Sequence, residues 1–328
     1  MSRAAYLLPA GVVRRIDHGL FVVLSRLLAL IVLVVVLAVL SPQFLSWDNF
    51  LNVMRQASLQ FLMAAGLTIV VLTGGIDLAI GAVLGLSACL SASLVSQGYV
   101  AWGIIAALAA GAAAGSVNGV LVTFGRIPPF IATYGMLWIA HGLGYVFMKG
   151  EVIYGLPEAF RFIGAGFVYG IPVPLIVAVV VLLALHIMLH KTVLGRSIYA
   201  IGGNPSAARL SGMPVRARLI FVYMLSGFLS GFAALVVIAR INAADSSLGE
   251  DLLLPAIATV CLGGTSLFGG VGGIAGTAIG AVILALVVNG MNLLGVQTFW
   301  QSGVMGAIIL ISVLADQIGG SRLIGNRS

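Results

Sequence analysis

Charge is what this sequence has least of. Among 328 residues there are only 16 Lys+Arg and 9 Asp+Glu, 8% of the chain, against 61% hydrophobic residues and a mean hydropathy of +1.19. A soluble domain carries roughly 25% charged residues, because its surface must be hydrated. Soluble domains are therefore excluded, and so is disorder, which needs a polar and charged chain. Cysteine is almost as scarce. Cys89 and Cys261 both lie in apolar stretches, which supports neither a disulfide framework nor a metal pair and reads as packing. The four histidines, His18, His141, His186 and His190, form no HExxH pattern and no Cys partnership, and there is no GxSxG elbow. Neither lysine follows a glycine, so there is no Walker A loop, and any ATP used must be bound by another chain. Gly270-Val271-Gly272 has the wrong spacing for a dinucleotide fingerprint and lacks an acidic residue about 20 positions on. No enzyme active site, metal site or cofactor site is expected in this chain.

The positions of the charges say more than their number. The charge-free intervals 27–47, 56–76, 127–148, 162–190 and 219–239 each fit one membrane-crossing helix, which needs about 20 apolar residues. The interval 78–125 fits two and 252–315 fits three. The expected fold is all-α and polytopic, one transmembrane domain over residues 1–328 with about ten transmembrane helices. Turn-forming residues divide the long intervals at Ser96-Gln97-Gly98, at the GGTSLFGGVGG run from Gly263 to Gly273, and at Gly295-Val296-Gln297-Thr298. Ile127-Pro128-Pro129 and Ile171-Pro172-Val173-Pro174 open further spans, where a missing N–H costs nothing.

Basic residues accumulate on the cytoplasmic side of a membrane. With the N-terminus inside, that side collects Arg3, Arg14, Arg15, Arg26, Arg126, Lys191, Arg196, Arg209, Arg216, Arg218, Arg322 and Arg327, and the outer side keeps Arg55, Lys149, Arg161 and Arg240. Most acids, Asp48, Glu151, Glu158, Asp245, Glu250 and Asp251, fall outside as well. Both termini are then cytoplasmic, with tails at 1–19 and 317–328 and the largest inner loop at 190–218. The net charge of +7 is a topology signal and not a nucleic-acid patch, since the basic residues are split among short loops. The basic, then apolar, N-terminus reads as a retained first span, because its apolar run exceeds a signal-peptide core of roughly 7 to 15 residues.

Glycine is abundant, with 43 residues. Gly111, Gly115 and Gly119, then Gly227 and Gly231, then Gly276 and Gly280, recur at spacing four, which lets helix backbones approach closely in lipid. Three places break the membrane pattern. In Thr73-Gly74-Gly75-Ile76-Asp77, the glycines Gly74 and Gly75 would break one helix. Asp77, a carboxylate at membrane depth, would cap the next, couple to a pathway, or bind a proton or ion. In the loop 190–218, Asn204 is a helix N-cap, Pro205 a first helical residue and Gly212 a stop. The short helix between them, with Ala207, Ala208 and Arg209, either connects two spans or docks a cytoplasmic partner. In the third place, Gly263, Gly264, Gly269 and Gly270 permit a tight hairpin or re-entrant bend, for packing or for partner contact. Asn118, Asn289 and Asn292 lie in or at the ends of apolar spans, as interhelical hydrogen bonders or as pathway lining.

TGGIDLAIG at 73–81, LGRSIYAIGGNPSAARLSGM at 194–213 and LGGTSLFGGVGGIAGTAIGA at 262–281 together resemble the permease subunits of ribose-type ABC importers, from about Pro42 to Asp316. The resemblance implies a bacterial inner-membrane, multi-pass protein working as a permease pair, homo- or heterodimeric. Its partners would be cytoplasmic ATP-binding subunits, which hold the ATP and Mg, and a periplasmic solute-binding protein. It also implies that Gly202, Gly203, Asn204, Ala207, Ala208, Arg209 and Gly212 form the coupling helix seated on the ATPase, and that the cargo is a ribose-like monosaccharide. A polyol, nucleoside or signalling sugar, or a secondary carrier or channel using Asp77, are the competing readings. Two departures from the family pattern stand toward the periplasmic half. Leu253-Leu254-Pro255 replaces a Glu-Leu-Asp stretch, with Glu250 and Asp251 displaced upstream, and His141 stands where arginine is frequent.

Overall fold

The computed structural model describes residues 27–324. The expected N-terminal tail, 1–19, lies outside the described residues, as do the last four residues of the C-terminal one. Among the described residues six helices are long and apolar enough to cross a membrane: α2 (Trp47–Leu72), α4 (Val100–Thr123), α5 (Pro129–Met148), α7 (Val173–Lys191), α10 (Val215–Ile241) and α12 (Ile274–Leu293). Shorter apolar stretches accompany them in α1 (Leu27–Leu40), α3 (Ile80–Ser96) and α13 (Thr298–Ile324). The chain is an all-α polytopic membrane protein. Residues 317–324, read as tail, continue α13.

Local chemistry sets most boundaries. α3 stops at Ser96 and Gly98 takes a φ of 90°, so that α4 restarts at Val100. Pro129 opens α5, and Pro174 sits in the first turn of α7. Two charge-free intervals hold more than full-length spans. In 162–190 only α7 is a span. Before it, α6 (Glu158–Ala165) ends at Gly166, and the strands β2 (Phe167–Val168) and β3 (Ile171–Pro172) form a hairpin. Tyr169 and Gly170 both take positive φ there, which suits a two-residue turn between twisted strands. The hairpin needs no charge because it pairs its own backbone groups. In 252–315, α11 (Leu253–Leu262) has only 10 residues, about 15 Å of helix or half a bilayer core. Gly263 and Gly264, the latter at φ 65°, stop it.

In lipid the outside of a bundle is as apolar as its inside, so burial and not hydropathy marks the centre. The most apolar stretch of α2 is 78% buried and that of α10 67%, while α4 and α7 bury only 22%. α7 is nevertheless the most apolar of the six. α2 and α10 therefore form the core against which α3, α4 and α12 pack. Glycines set the closest approach. A Cβ on Gly111 or Gly227 would overlap the other's carbonyl, one on Gly115 would strike Tyr223 O, and one on Gly231 would strike Ala107 O. Gly280 packs in the same way on Thr259 and Gly263. At one end of the bundle the Asn49 and Asn289 amides exchange hydrogen bonds of 2.7 and 3.1 Å. At that end Arg240 donates to Asn52 at 3.3 Å, and β1 (Ile153–Tyr154) pairs antiparallel with β4 (Ala243–Ala244).

Candidate functional site

The opposite end holds the motifs that stood out in the sequence. α8 (Val193–Gly203) and α9 (Pro205–Leu210) occupy the loop between α7 and α10. Three glycine-rich segments from distant parts of the chain meet there on the last turn of α2. Gly270 N donates to Leu72 O at 2.9 Å and ties the turn after α11 to the end of α2. Gly202 lies against that same pair, so closely that a Cβ would overlap both Leu72 O and Gly270 N. Gly269 packs on Gly74 N and Gly270 on Gly203 N, both at positive φ, a geometry that leaves no room for side chains. Tyr199 Oη donates to Gly272 O at 3.0 Å. Burial pushes the Tyr199 phenol above the usual tyrosine range, so it stays protonated and keeps donating. The result is a junction of backbone against backbone. Apart from the Tyr199 hydroxyl, the contacts of α8 with α2 and with the 263–273 turn do not run through flexible side chains.

α9 is held rigidly to this junction. Thr192 caps α8 by accepting from Gly195 N at 3.2 Å while donating to Met188 O at 2.6 Å. Asn204 ends α8 and starts α9, its Oδ1 accepting from Ser206 N and Ala207 N, both at 3.0 Å. Pro205 is the first helical residue and Gly212, at φ 79°, turns the chain away. Of the two alanines expected on the docking face, only Ala207 is exposed. Ala208 faces inward against Ile201 and Val215. Arg209 is exposed, and beside it Leu210 is 90% exposed. Phe268 and Val271, on the turn packed against α8, are exposed too. These three large apolar residues were not singled out in the sequence, where nothing distinguishes them from lipid-facing ones. Replacing Asn204 with alanine is expected to weaken α9 by about 1 kcal/mol. Hydrogen exchange reads this as roughly fivefold faster exchange of the Ser206 and Ala207 amides. Unchanged exchange would show that the Asn204 side chain does not hold the helix.

Asp77 sits between α2 and α3 and is fully enclosed. Its Oδ1 accepts from Ala79 N at 3.0 Å and its Oδ2 from the Ser226 hydroxyl at 2.8 Å, so it closes the turn before α3 and does not cap the helix as expected, the N-cap position being Ala79 with no side-chain bond. The neighbouring Ile76 carbonyl accepts from Thr133 of α5 at 3.3 Å, and Gly75 leaves space for the Tyr223 hydroxyl. Irregular backbone among membrane helices survives only where protein covers and satisfies it, and α5 and α10 do both. The other polar residues do not gather round Asp77. Asn289 pairs with Asn49 at the far end, and the Asn292 Oδ1 accepts from Gln301 at 2.8 Å. Asn118 is buried on α4, which faces α10. The tight-turn glycines also divide: Gly263 serves the α11–α12 contact, Gly264 turns the chain at φ 65°, and Gly269 and Gly270 serve the junction with α8.

The two departures from the family pattern come together. His141 Nδ1 and Glu250 Oε1 are 3.0 Å apart, joining α5 to the segment before α11. No local signal in the sequence pairs residues so far apart.

The chain matches the family model described as "Branched-chain amino acid transport system / permease component" over residues 49–313. It is 44% identical over 302 residues to the ribose import permease protein of Bacillus subtilis (strain 168), covering 91% of this chain and 94% of the relative. The ribose import permease protein of Escherichia coli (strain K12) is 44% identical over 299 residues, 89% of this chain and 92% of its own. The D-allose transport system permease protein of Escherichia coli (strain K12) is 36% identical over 304 residues, 92% and 91%. No solved structure matches the chain.

Proposed function

The chain belongs to the branched-chain amino acid transport system / permease component family, and from that membership we propose that it is the membrane-spanning permease subunit of an ATP-driven, binding-protein-dependent monosaccharide importer. The observation that carries this is the 44% identity to ribose import permeases across about nine-tenths of the chain. The protein is a multi-pass component of the bacterial inner membrane and not an enzyme. ATP and Mg belong to a separate subunit, whose hydrolysis supplies the energy.

In this reading the ten apolar helices make ten passes, with α11 as a half-span completed by the segments around it, and both termini are cytoplasmic. The end that carries α8 and α9 then faces the ATPase. Arg209 and Leu210 would enter the ATPase groove, and movement there would pass through Gly202 and Gly270 to α2. The opposite end, with its β1–β4 pair, would meet the periplasmic binding protein. A second permease copy completes the pathway. Alternating access requires two states that the partners favour differently, and a stiff junction between docking helix and core couples them.

The reading is tested in liposomes. D-ribose uptake is expected only when this chain, its ATPase and the loaded binding protein are all present. Uptake by this chain alone, driven by a proton gradient and lost in Asp77→Asn, would point to a secondary carrier instead. Arg209→Glu is expected to reduce ATPase copurification and ATP-driven uptake by about tenfold or more, since it reverses the charge that α9 offers at the proposed contact. Normal assembly and coupling in that variant would remove Arg209 from the docking surface.

A further inference from the structure

We propose that the cavity between α3, α5 and the segment leading into α11 is a transit subsite for a monosaccharide, held by His141, Glu250 and Trp138. The proposal rests on the reading of the chain as a sugar permease and adds where, and with which side chains, the sugar is met. The cavity measures about 220 Å³, room for one sugar ring, and Leu78, Ala82, Leu137 and Leu253 give it an apolar wall.

Glycines build it. Gly81 and Gly85 of α3 have no Cβ, and one on either would overlap Gly249 O or Leu248 O, so the segment before α11 lies directly on the helix. Gly249 turns there at φ 104°, again with no room for a side chain against Gly81. That turn brings Glu250 across to α5, where its carboxylate meets His141 at 3.0 Å. Trp138, one helical turn before His141, stands edge-on to the imidazole at 6.1 Å and 82°. More than half of the Trp138 surface is exposed.

The chemistry of these three groups fits a sugar. A carboxylate and an imidazole offer an acceptor and a donor to vicinal hydroxyls, and an indole covers the C–H face of the ring. A mostly apolar wall with a few placed polar groups is the usual make-up of a small-molecule site. His141 and Glu250 satisfy each other when no sugar is present, so a sugar must displace that bond. Binding is then weak, as a site in a transport path requires for release. Leu78 follows Asp77 directly, so the subsite borders the irregular segment that joins α2 to α3.

The test uses the complete importer, reconstituted with its ATPase and binding protein in liposomes, with uptake of D-ribose, D-allose and D-galactose and ATP hydrolysis measured together. Glu250→Gln is expected to lower the sugar moved per ATP by about tenfold, the factor that one hydrogen bond to a charged group supplies, and His141→Asn and Trp138→Ala to lower it by about fivefold, as for a neutral hydrogen bond or an aromatic contact. ATP hydrolysis stimulated by the loaded binding protein is expected to be unchanged. Glu250→Gln is also expected to alter the relative rates of the three sugars. An unchanged sugar-to-ATP ratio in all three variants overturns the subsite while leaving the permease reading intact. A parallel fall of uptake and hydrolysis assigns the pair to holding the segment in place and likewise overturns it. A wild-type complex that moves none of the three sugars overturns the permease reading and the subsite with it.

Discussion

Gly202→Ala is expected to abolish ATP-driven uptake, whereas Gly203→Ala, one residue away, is expected to leave it intact. A Cβ on Gly202 would overlap backbone atoms, Leu72 O and Gly270 N, while a Cβ on Gly203 meets nothing. Backbone cannot rotate aside as a side chain can. Either α8 moves off α2 or the Gly270–Leu72 hydrogen bond breaks. Overpacking of this kind costs about 1 to 3 kcal/mol, and the lost bond between buried groups adds a similar amount. The cost falls at the junction that joins α9 to the core, so coupling fails before the bundle unfolds. Copurification of the ATPase, thermal stability in detergent and uptake together read the effect. If both alanine variants transport equally well, the backbone junction does not transmit the motion.

Asp77→Ala is expected to destabilise the permease strongly, and Asp77→Asn only slightly. Alanine removes the acceptor for Ala79 N and for the Ser226 hydroxyl, and each buried group left unpaired costs about 1 to 3 kcal/mol. Asparagine keeps an oxygen for Ala79 N, and its amide can donate to the Ser226 oxygen. The melting temperature of the purified permease should fall markedly for alanine and little for asparagine, with ATP-driven uptake following the same order. An Asp77→Asn protein as stable as wild type but without uptake would show that the negative charge itself is needed, and the account of Asp77 as a hydrogen-bond acceptor alone would fail.

Local signals in the sequence were reliable where one residue type has one strong conformational consequence. Pro129 and Pro174 open helices, the Ser96-Gln97-Gly98 stop divides α3 from α4, and Asn204-Pro205 starts α9 as its side chain and ring geometry dictate. Absence of charge was a weaker guide. It marks what lipid or protein can cover and does not distinguish a helix from the β2–β3 hairpin or from a half-length α11. The exposed face of α9 was half legible. Arg209 is on it, but Ala208 points inward and Leu210 outward, because α9 packs on Ile201 and Val215 through one side only.

What the sequence by itself determined was the solvent, since a chain with so few charges has lipid as its only suitable medium. It determined the division into apolar helices and the cap that starts α9, because these depend on composition and on neighbours in the chain. Only the tertiary structure decided that the glycines of 73–75, 201–203 and 268–273 form one junction, and that His141 meets Glu250. Those contacts depend on which helix backbones can approach each other. In a bundle whose inside and outside are equally apolar, hydropathy carries no information about that approach.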